Sequence, residues 1–422
     1  MGKPLEGVRV LDLSHVIAGP MASLYLAQLG AEVIKIESPL AGDVMRAARA
    51  GAGDGDTPPG FTALNAGKRS LAVDIRRPEG AELVRQLAAS ADVFIENYRP
   101  GVVARHGLDY ERIRAVRPDV VYCSISGYGQ QGEWADRGAY DHVVQALTGM
   151  MMMSGDEPEA PPLKVGFPVI DVAAGMLGAL AIVSALHQRM RDGTGQCIDA
   201  SMVQASAMLM YPNASAFLTQ RVEPQRVGNR GYTGSPTADT YRCADGWLAV
   251  AANTPAQFRK LATVLALEHL CEDGAALDLA AFNAPGGGFV VARDLDGLRR
   301  TFTQAFAGQS AAALEDRLNA LGVPAARVRR LGEFLDEVQG GDKATFTPFA
   351  FGPGARPVRT PGLGFRASGP TPAAQTTAPA LGQDTRALLR GLGLSDCEID
   401  RLHRSAIVRV RVCKAEPAPA VA

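Results

Sequence analysis

Several kinds of site are missing from this sequence, and each absence narrows its chemistry. The six cysteines, at positions 123, 197, 243, 271, 397 and 413, include no CxxC pair. That argues against a disulfide framework or a zinc site and for reduced thiols in a cytoplasm. The six histidines include no HxH or HExxH, so no metal centre is expected. No GxSxG elbow is present, which removes the commonest serine-hydrolase signature. An excess of charge of one sign is missing too: 43 basic and 44 acidic residues leave a net charge of −1. No global field draws nucleic acid or an anionic membrane, and an anionic ligand must be held by locally placed Arg and Lys. The N-terminus has no signal-peptide core. The longest apolar stretch, around Val172–Leu186, is rich in Ala and Gly and short for a membrane span. A soluble, cytoplasmic protein without nucleic-acid or membrane partners is expected.

At 422 residues the chain exceeds one simple core, while 47% hydrophobic and 21% charged residues are ordinary for a globular protein. Strand and helix signals alternate over the first 130 residues. Val8–Leu13, Glu32–Ile36, Leu71–Ile75, Val93–Asn97 and Val120–Ser126 read as strands, with helices over Met21–Leu29 and Glu79–Ala89. Apolar strands separated by helices predict an α/β fold with a parallel sheet covered on both faces. Helical patterns follow at His142–Met152, Met176–Arg189 and Ala205–Leu218, with a strand at Gln196–Ser201. Past an Arg-, Gly- and Pro-rich connector, Tyr241–Asn253 reads as a hairpin turning at Ala244–Gly246. Helices at Ala256–Ala266 and Leu295–Ala307 complete a smaller α/β domain, and two helices near Thr385–Leu392 and Asp396–His403 close the chain. The reading is a discontinuous large domain, 1–220 with 330–422, and a small domain over 221–329.

Asp171 interrupts an apolar run and is followed by Ala173, Ala174, Gly175 and Gly178. A carboxylate near the first turn of a helix is stabilised by free N–H groups and the helix dipole, and small neighbours admit a bulky substrate. An ordinary N-cap is the plainer reading of the same residue. The turn from Asp12 to Pro20 carries His15 from a strand into a helix, where open α/β sheets bind ligands, but its spacing is no dinucleotide fingerprint. Lys68, Arg69, Arg76, Arg77, Arg99 and Arg105 all flank strand ends, with Tyr98 among them. Together they suit a nucleotide with phosphates and a stacking base.

The ordered series Gly7–His15, Ala18–Pro20, Leu29–Glu37, Asn65 with Lys68–Ser70, Asp92–Asn97, Ser126–Gly129, Tyr140–Asp141, Gln145–Ala146, Asp171, Asp245–Gly246 and Leu381–Thr385 resembles the class III coenzyme A transferases, which include formyl-CoA and carnitine-CoA transferases. The resemblance implies a Rossmann-like large domain, a smaller α/β domain and an interlocked homodimer. It implies coenzyme A and acyl-CoA as substrates, with a small carboxylic acid and no permanently bound cofactor. It places the catalytic aspartate on Asp171 and CoA contacts on His15, Val16, Ala18, Asn97, Tyr98 and Arg105. Lys68 and Arg76 fall at the adenine-phosphate end, and Arg137 near the active-site entrance.

Departures from formyl-CoA transferase at Ile17 and over Gly231–Pro236 speak against formate and oxalate. The related 2-methylacyl-CoA racemases carry histidine where this chain has Tyr140; here His142 falls on the other side of Asp141. Transfer is therefore expected, with racemisation or a catalytically inactive CoA-binding protein as alternatives. Succinyl-CoA is a common donor in the family, and Arg46, Arg137, Arg226 and Arg230 are candidate anchors for a dicarboxylic acceptor. Ile17 and Met150–Met153 favour a more apolar acid.

Overall fold

The computed structural model describes residues 2–48, 58–157, 159–231, 234–286, 288–339, 346–350, 357–365 and 377–411. Part of the Gly231–Pro236 segment lies outside these residues. The chain forms two compact units: Met1–Met151, Lys164–Glu223 and Ala344–Ala422 make the large one, Met152–Leu163 and Pro224–Lys343 the small one.

In the large unit, β1 (Arg9–Asp12), β2 (Glu32–Glu37), β3 (Arg69–Val73), β4 (Val93–Glu96), β5 (Val121–Ser126) and β6 (Gln196–Ser201) pair in parallel in the order 3-2-1-4-5-6. Alternate residues of each strand serve opposite faces. Leu11, Phe94 and Tyr122 pack under the helices Pro78–Ala88, Tyr110–Val116 and Asp396–Arg404. Val10, Ile95 and Ile125 pack under Ala18–Gln28 and Val169–Asp192. Burial on both faces explains why β1 to β5 read as largely apolar runs.

The helix Val169–Asp192 begins seven residues before the stretch read from Met176, and it is long and apolar enough to cross a membrane. Half of its most apolar window is buried, and glycine explains how. A Cβ on Gly175 would stand 2.5 Å from the Ala18 carbonyl oxygen, and one on Gly178 would stand 2.9 Å from Ile125. The helix expected over Ala205–Leu218 is two, Met202–Leu209 and Tyr211–Gln220, because Pro212 starts a new first turn.

In the small unit, β7 (Asp239–Cys243), β8 (Gly246–Val250) and β9 (Ala325–Arg327) form an antiparallel sheet. Helices Pro255–Val264, Leu295–Ala307 and Ala311–Ala320 cover it around Tyr241, Phe258, Phe302 and Phe306. The turn residue Asp245 caps the last of these helices, accepting the Ala311 N–H at 2.6 Å. The chain then returns to the large unit. There β10 (Phe346–Ala350) pairs with β11 (Pro357–Pro361), and β12 (Val408–Arg409) adds antiparallel to β3 as the seventh strand of the main sheet.

Candidate active site

The loop leaving β1 is fixed from beneath by buried charge. Asp12 accepts from the Ser14 N–H at 2.9 Å, the Ser23 hydroxyl at 2.5 Å and Lys68 Nζ at 3.1 Å. Lys68 also donates to Ser23 Oγ at 2.7 Å, Asn65 Oδ1 at 2.9 Å and the Pro20 carbonyl at 3.1 Å. Lys35, on β2, donates to the Ser14 carbonyl at 2.8 Å and pairs with Asp43 at 3.0 Å. Lys68 thus points into the protein and not at a phosphate, which corrects its expected place at the adenine-phosphate end. Its ammonium is satisfied where an unpaired one would carry a large desolvation cost.

Above this layer, Val16 adopts φ +68°, a left-handed conformation that costs a β-branched residue on the order of 1–2 kcal/mol. Its N–H faces the Asp43 carboxylate at 3.3 Å. His15 and Asn97 exchange two hydrogen bonds: the His15 N–H donates to Asn97 Oδ1 at 2.9 Å, and Asn97 Nδ2 donates to the His15 carbonyl at 2.8 Å. The His15 ring lies 5.1 Å from that of Tyr98, and its buried Nδ1 has no partner among the described residues. Burial lowers the His15 pKa, favouring the neutral ring.

Asp171 is the third residue of its helix and is not its cap. The cap comes from another helix, Asp141–Leu147: Asp141 Oδ2 accepts the N–H groups of Ile170 at 2.7 Å and Asp171 at 3.1 Å. Gln145 Nε2 donates to Asp141 Oδ1 at 2.5 Å, and Gln145 Oε1 accepts the Val165 N–H at 2.8 Å. The Asp171 carboxylate has no hydrogen-bond or ion-pair partner among the described residues. Burial, then the charge of Asp141, pushes it up to about 6 from an ordinary 3.8. Because the folded pKa exceeds the unfolded one, stability falls as pH rises from about 4 to 6, by about 3 kcal/mol in full. Asp171→Asn is therefore expected to melt higher than the wild type at pH 7 and no higher at pH 4. Melting curves at the two pH values test this, and equal shifts at both would contradict it.

A cavity of about 430 Å³ joins these parts: His15, Val16, Ala18, Asn97, Tyr98, Arg137 and Asp171 all line it. Tyr98 also lines two adjoining cavities, of about 280 Å³ and about 180 Å³. Arg76 lines the larger of this pair together with Asp74 and His106, and holds Asp74 at 2.8 Å. The three form a trough along the carboxyl edge of β1 to β5, with Asp171 at one end and Arg76 at the other. Arg105 is exposed beside His106 and lines none of the three. Gly127–Gly132 follows β5 with GxGxxG spacing, but the next helix opens only at Asp141, so no helix N-terminus meets those glycines.

Of the four candidate carboxylate anchors, three are engaged elsewhere. Arg46 pairs with Glu37 at 2.7 Å, donates to the Pro379 carbonyl and lies over Phe61. Arg226, in the small unit, is buried with Nε on the Ser154 carbonyl and Nη2 on that of Pro161, each at 2.8 Å. Arg230 donates to its own loop at Val227. Arg137 stacks on Trp134 at 4.9 Å and lines the cavity that holds Asp171. His142 is exposed, stacked on Tyr140, and does not line that cavity. Sequence reasoning did not find the capping role of Asp141, or Lys35 and Asp43. A lysine inside the apolar strand Val33–Ile36 was the available signal.

Residues 5–385 match the model of CoA-transferase family III. The chain is 40% identical over 276 residues to a succinate–glutarate CoA-transferase of Agrobacterium fabrum, covering 64% of this chain and 68% of that protein. It spans 62% and 61% of two mammalian succinyl-CoA:glutarate CoA-transferases. A succinyl-CoA–D-citramalate CoA-transferase of Chloroflexus aurantiacus is 31% identical over 409 residues, 96% of this chain and 98% of that one. The crystal structure of a CAIB/BAIF family protein from Brucella suis superposes with a TM-score of 0.79 at 31% identity, covering 93% of this chain and all of that one.

Proposed function

The chain belongs to CoA-transferase family III, and from that premise we propose that it moves CoA from succinyl-CoA to a short dicarboxylic acid, with Asp171 as the nucleophile. The observation that carries this reading is the unengaged Asp171 carboxylate in the cavity lined by His15, Asn97 and Tyr98. The carboxylate attacks the thioester carbonyl, the C–S bond breaks, and a succinyl-aspartyl anhydride and CoA thiolate result. The thiolate attacks the aspartyl carbonyl and expels succinate, leaving an aspartyl-CoA thioester. The acceptor carboxylate attacks that thioester, giving a new anhydride and the thiolate again. Thiolate attack on the acceptor carbonyl then releases the new acyl-CoA and restores Asp171. No net proton or water is consumed, and an activated acyl bond is kept throughout, so water must be kept out. With Asp171 held at about 6, most of it is ionised at neutral pH.

CoA would lie along the trough, its base and phosphates toward Arg76 and its thiol toward Asp171. The strand order 3-2-1-4-5-6 is that of dinucleotide-binding sheets and supports the Rossmann-like description. Exposed Met176, Leu180, Met208, Leu209 and Tyr211 support a homodimer in which a second copy covers these helices. Interlocking rests on the family resemblance, and the cytoplasmic location on the scattered, unpaired cysteines.

The deciding experiment screens a panel of acids for transfer from succinyl-CoA. Turnover of aromatic or monocarboxylic acids alone would overturn the dicarboxylate reading. Arg137 is the candidate for the distal carboxylate. Arg137→Met is expected to raise KM for a dicarboxylic acceptor about tenfold or more, the worth of a charge-assisted pair. KM for a monocarboxylic acid of equal length should barely change, and an equal rise for both would place Arg137 on CoA instead. The position of His142 disfavours the racemase, and deuterium entering C2 of a 2-methylacyl-CoA without CoA exchange would restore it.

A further inference from the structure

Glu96 ends β4 with 2% of its surface exposed, and the transfer steps make no use of it. Strand register sets it beside Ser124 of β5, and Ser124 beside Asp199 of β6. Glu96 alternates with Ile95, so this polar row lies on the sheet face opposite Asp171's helix. The Glu96 carboxylate accepts the Tyr98 N–H at 2.8 Å, and Ser124 stands opposite it on the neighbouring strand. At the other end of the row, Asp199 accepts the Gln130 N–H at 2.8 Å. Each end therefore holds a loop. The first presents Asn97 to His15 and Tyr98 to all three cavities, and the second follows Ser126 and Gly127 in the wall of the largest. A buried carboxylate costs free energy that an apolar residue would not, so its place here calls for a task.

We propose that Glu96 is a positioning residue for CoA: by accepting the Tyr98 N–H it pins the turn that sets Asn97 and Tyr98, and thereby shapes the trough. The proposal rests on the assignment of that trough to CoA. Burial, with the charge of Asp199 adding to it, pushes the Glu96 carboxyl up to about 7. Glutamine keeps an acceptor oxygen at the same reach and mimics the protonated form, so it serves as the conservative variant.

The test measures CoA affinity by calorimetry and, separately, steady-state kcat and KM. Glu96→Ala is expected to weaken CoA binding and raise KM for the acyl-CoA at least tenfold, with kcat within threefold of wild type. Glu96→Gln should stay within threefold in all three. If the alanine variant does not fold, Glu96→Asp withdraws the acceptor by one methylene and should show the same split. An unchanged affinity in Glu96→Ala or Glu96→Asp, a loss confined to kcat, or a glutamine variant as weak as alanine would each overturn the proposal. Wild-type protein that bound no CoA would instead remove the reading of the trough on which it rests.

Discussion

Asp171→Ala is expected to lower the rate of CoA transfer by about a thousandfold or more while leaving CoA affinity near that of wild type. Every bond made in the proposed cycle passes through this carboxylate, and losing a covalent nucleophile removes the route rather than slowing one step. The alternative path, direct attack of one carboxylate on a thioester, lacks the positioned nucleophile that gives such sites their effective concentration. Intact mass measurement supplies a second readout. Wild-type protein mixed with succinyl-CoA should gain the mass of CoA less one water, and Asp171→Ala and Asp171→Asn should gain nothing. A variant that transferred CoA at the wild-type rate would remove Asp171 from the mechanism.

The second large effect is on stability and comes from Lys68. Its ammonium is wholly enclosed and pairs with the equally enclosed Asp12. Burial, opposed by Asp12, pushes it down to about 8 from an ordinary 10.5. The folded pKa lies below the unfolded one, so this cost is present at neutral pH and is relieved as pH rises from about 8 toward 10.5. The pair is stable because it is complete, and breaking it is another matter. Lys68→Met leaves Asp12 buried without its cation and should cost about 3–5 kcal/mol. Asp12→Leu with Lys68→Met should cost less than the two single changes summed, since neither charge is then stranded. Melting curves of the three variants form the test; additive losses would mean that the pair does not act as a unit. Because Asp12 holds Ser14 and Ser23, the single variant should also loosen the loop that carries His15 and Val16.

Local pattern carried some of this structure and none of the rest. β1 to β5 were legible because each is a short, largely apolar run buried on both faces, whereas β6 leaves Cys197 and Asp199 exposed. Their carboxyl ends located His15, Asn97 and Tyr98 in turn. The strand Ala325–Arg327 was not legible, since Ala-Ala-Arg has no strand pattern and is extended because β8 offers it an edge. Lys68 read as a phosphate contact because Arg69 and a strand end stand beside it; only Asp12, 56 residues away, reveals the difference. Arg46 read as free because its partners, Glu37 at the end of β2 and the Pro379 carbonyl 333 residues on, meet it only through the fold. Asp141 read only as a position matching the family, and its work on the helix of Asp171 spans 30 residues. In each case the missing information was a tertiary partner, which no window of sequence contains.

The late arrival of β12 has a consequence for how the protein is made. The six parallel strands are complete by Ser201, whereas the strand that pairs with the outer edge of β3 comes at Val408–Arg409. At roughly 5–20 residues per second, a ribosome needs roughly 10–40 s to span that interval. For that time a nascent chain with its sheet assembled would carry an open β3 edge, a template for pairing with other chains. Attachments at the C-terminus and truncations before Val408 prolong the exposure, so yield of soluble protein should suffer from them more than from changes of equal size at the N-terminus.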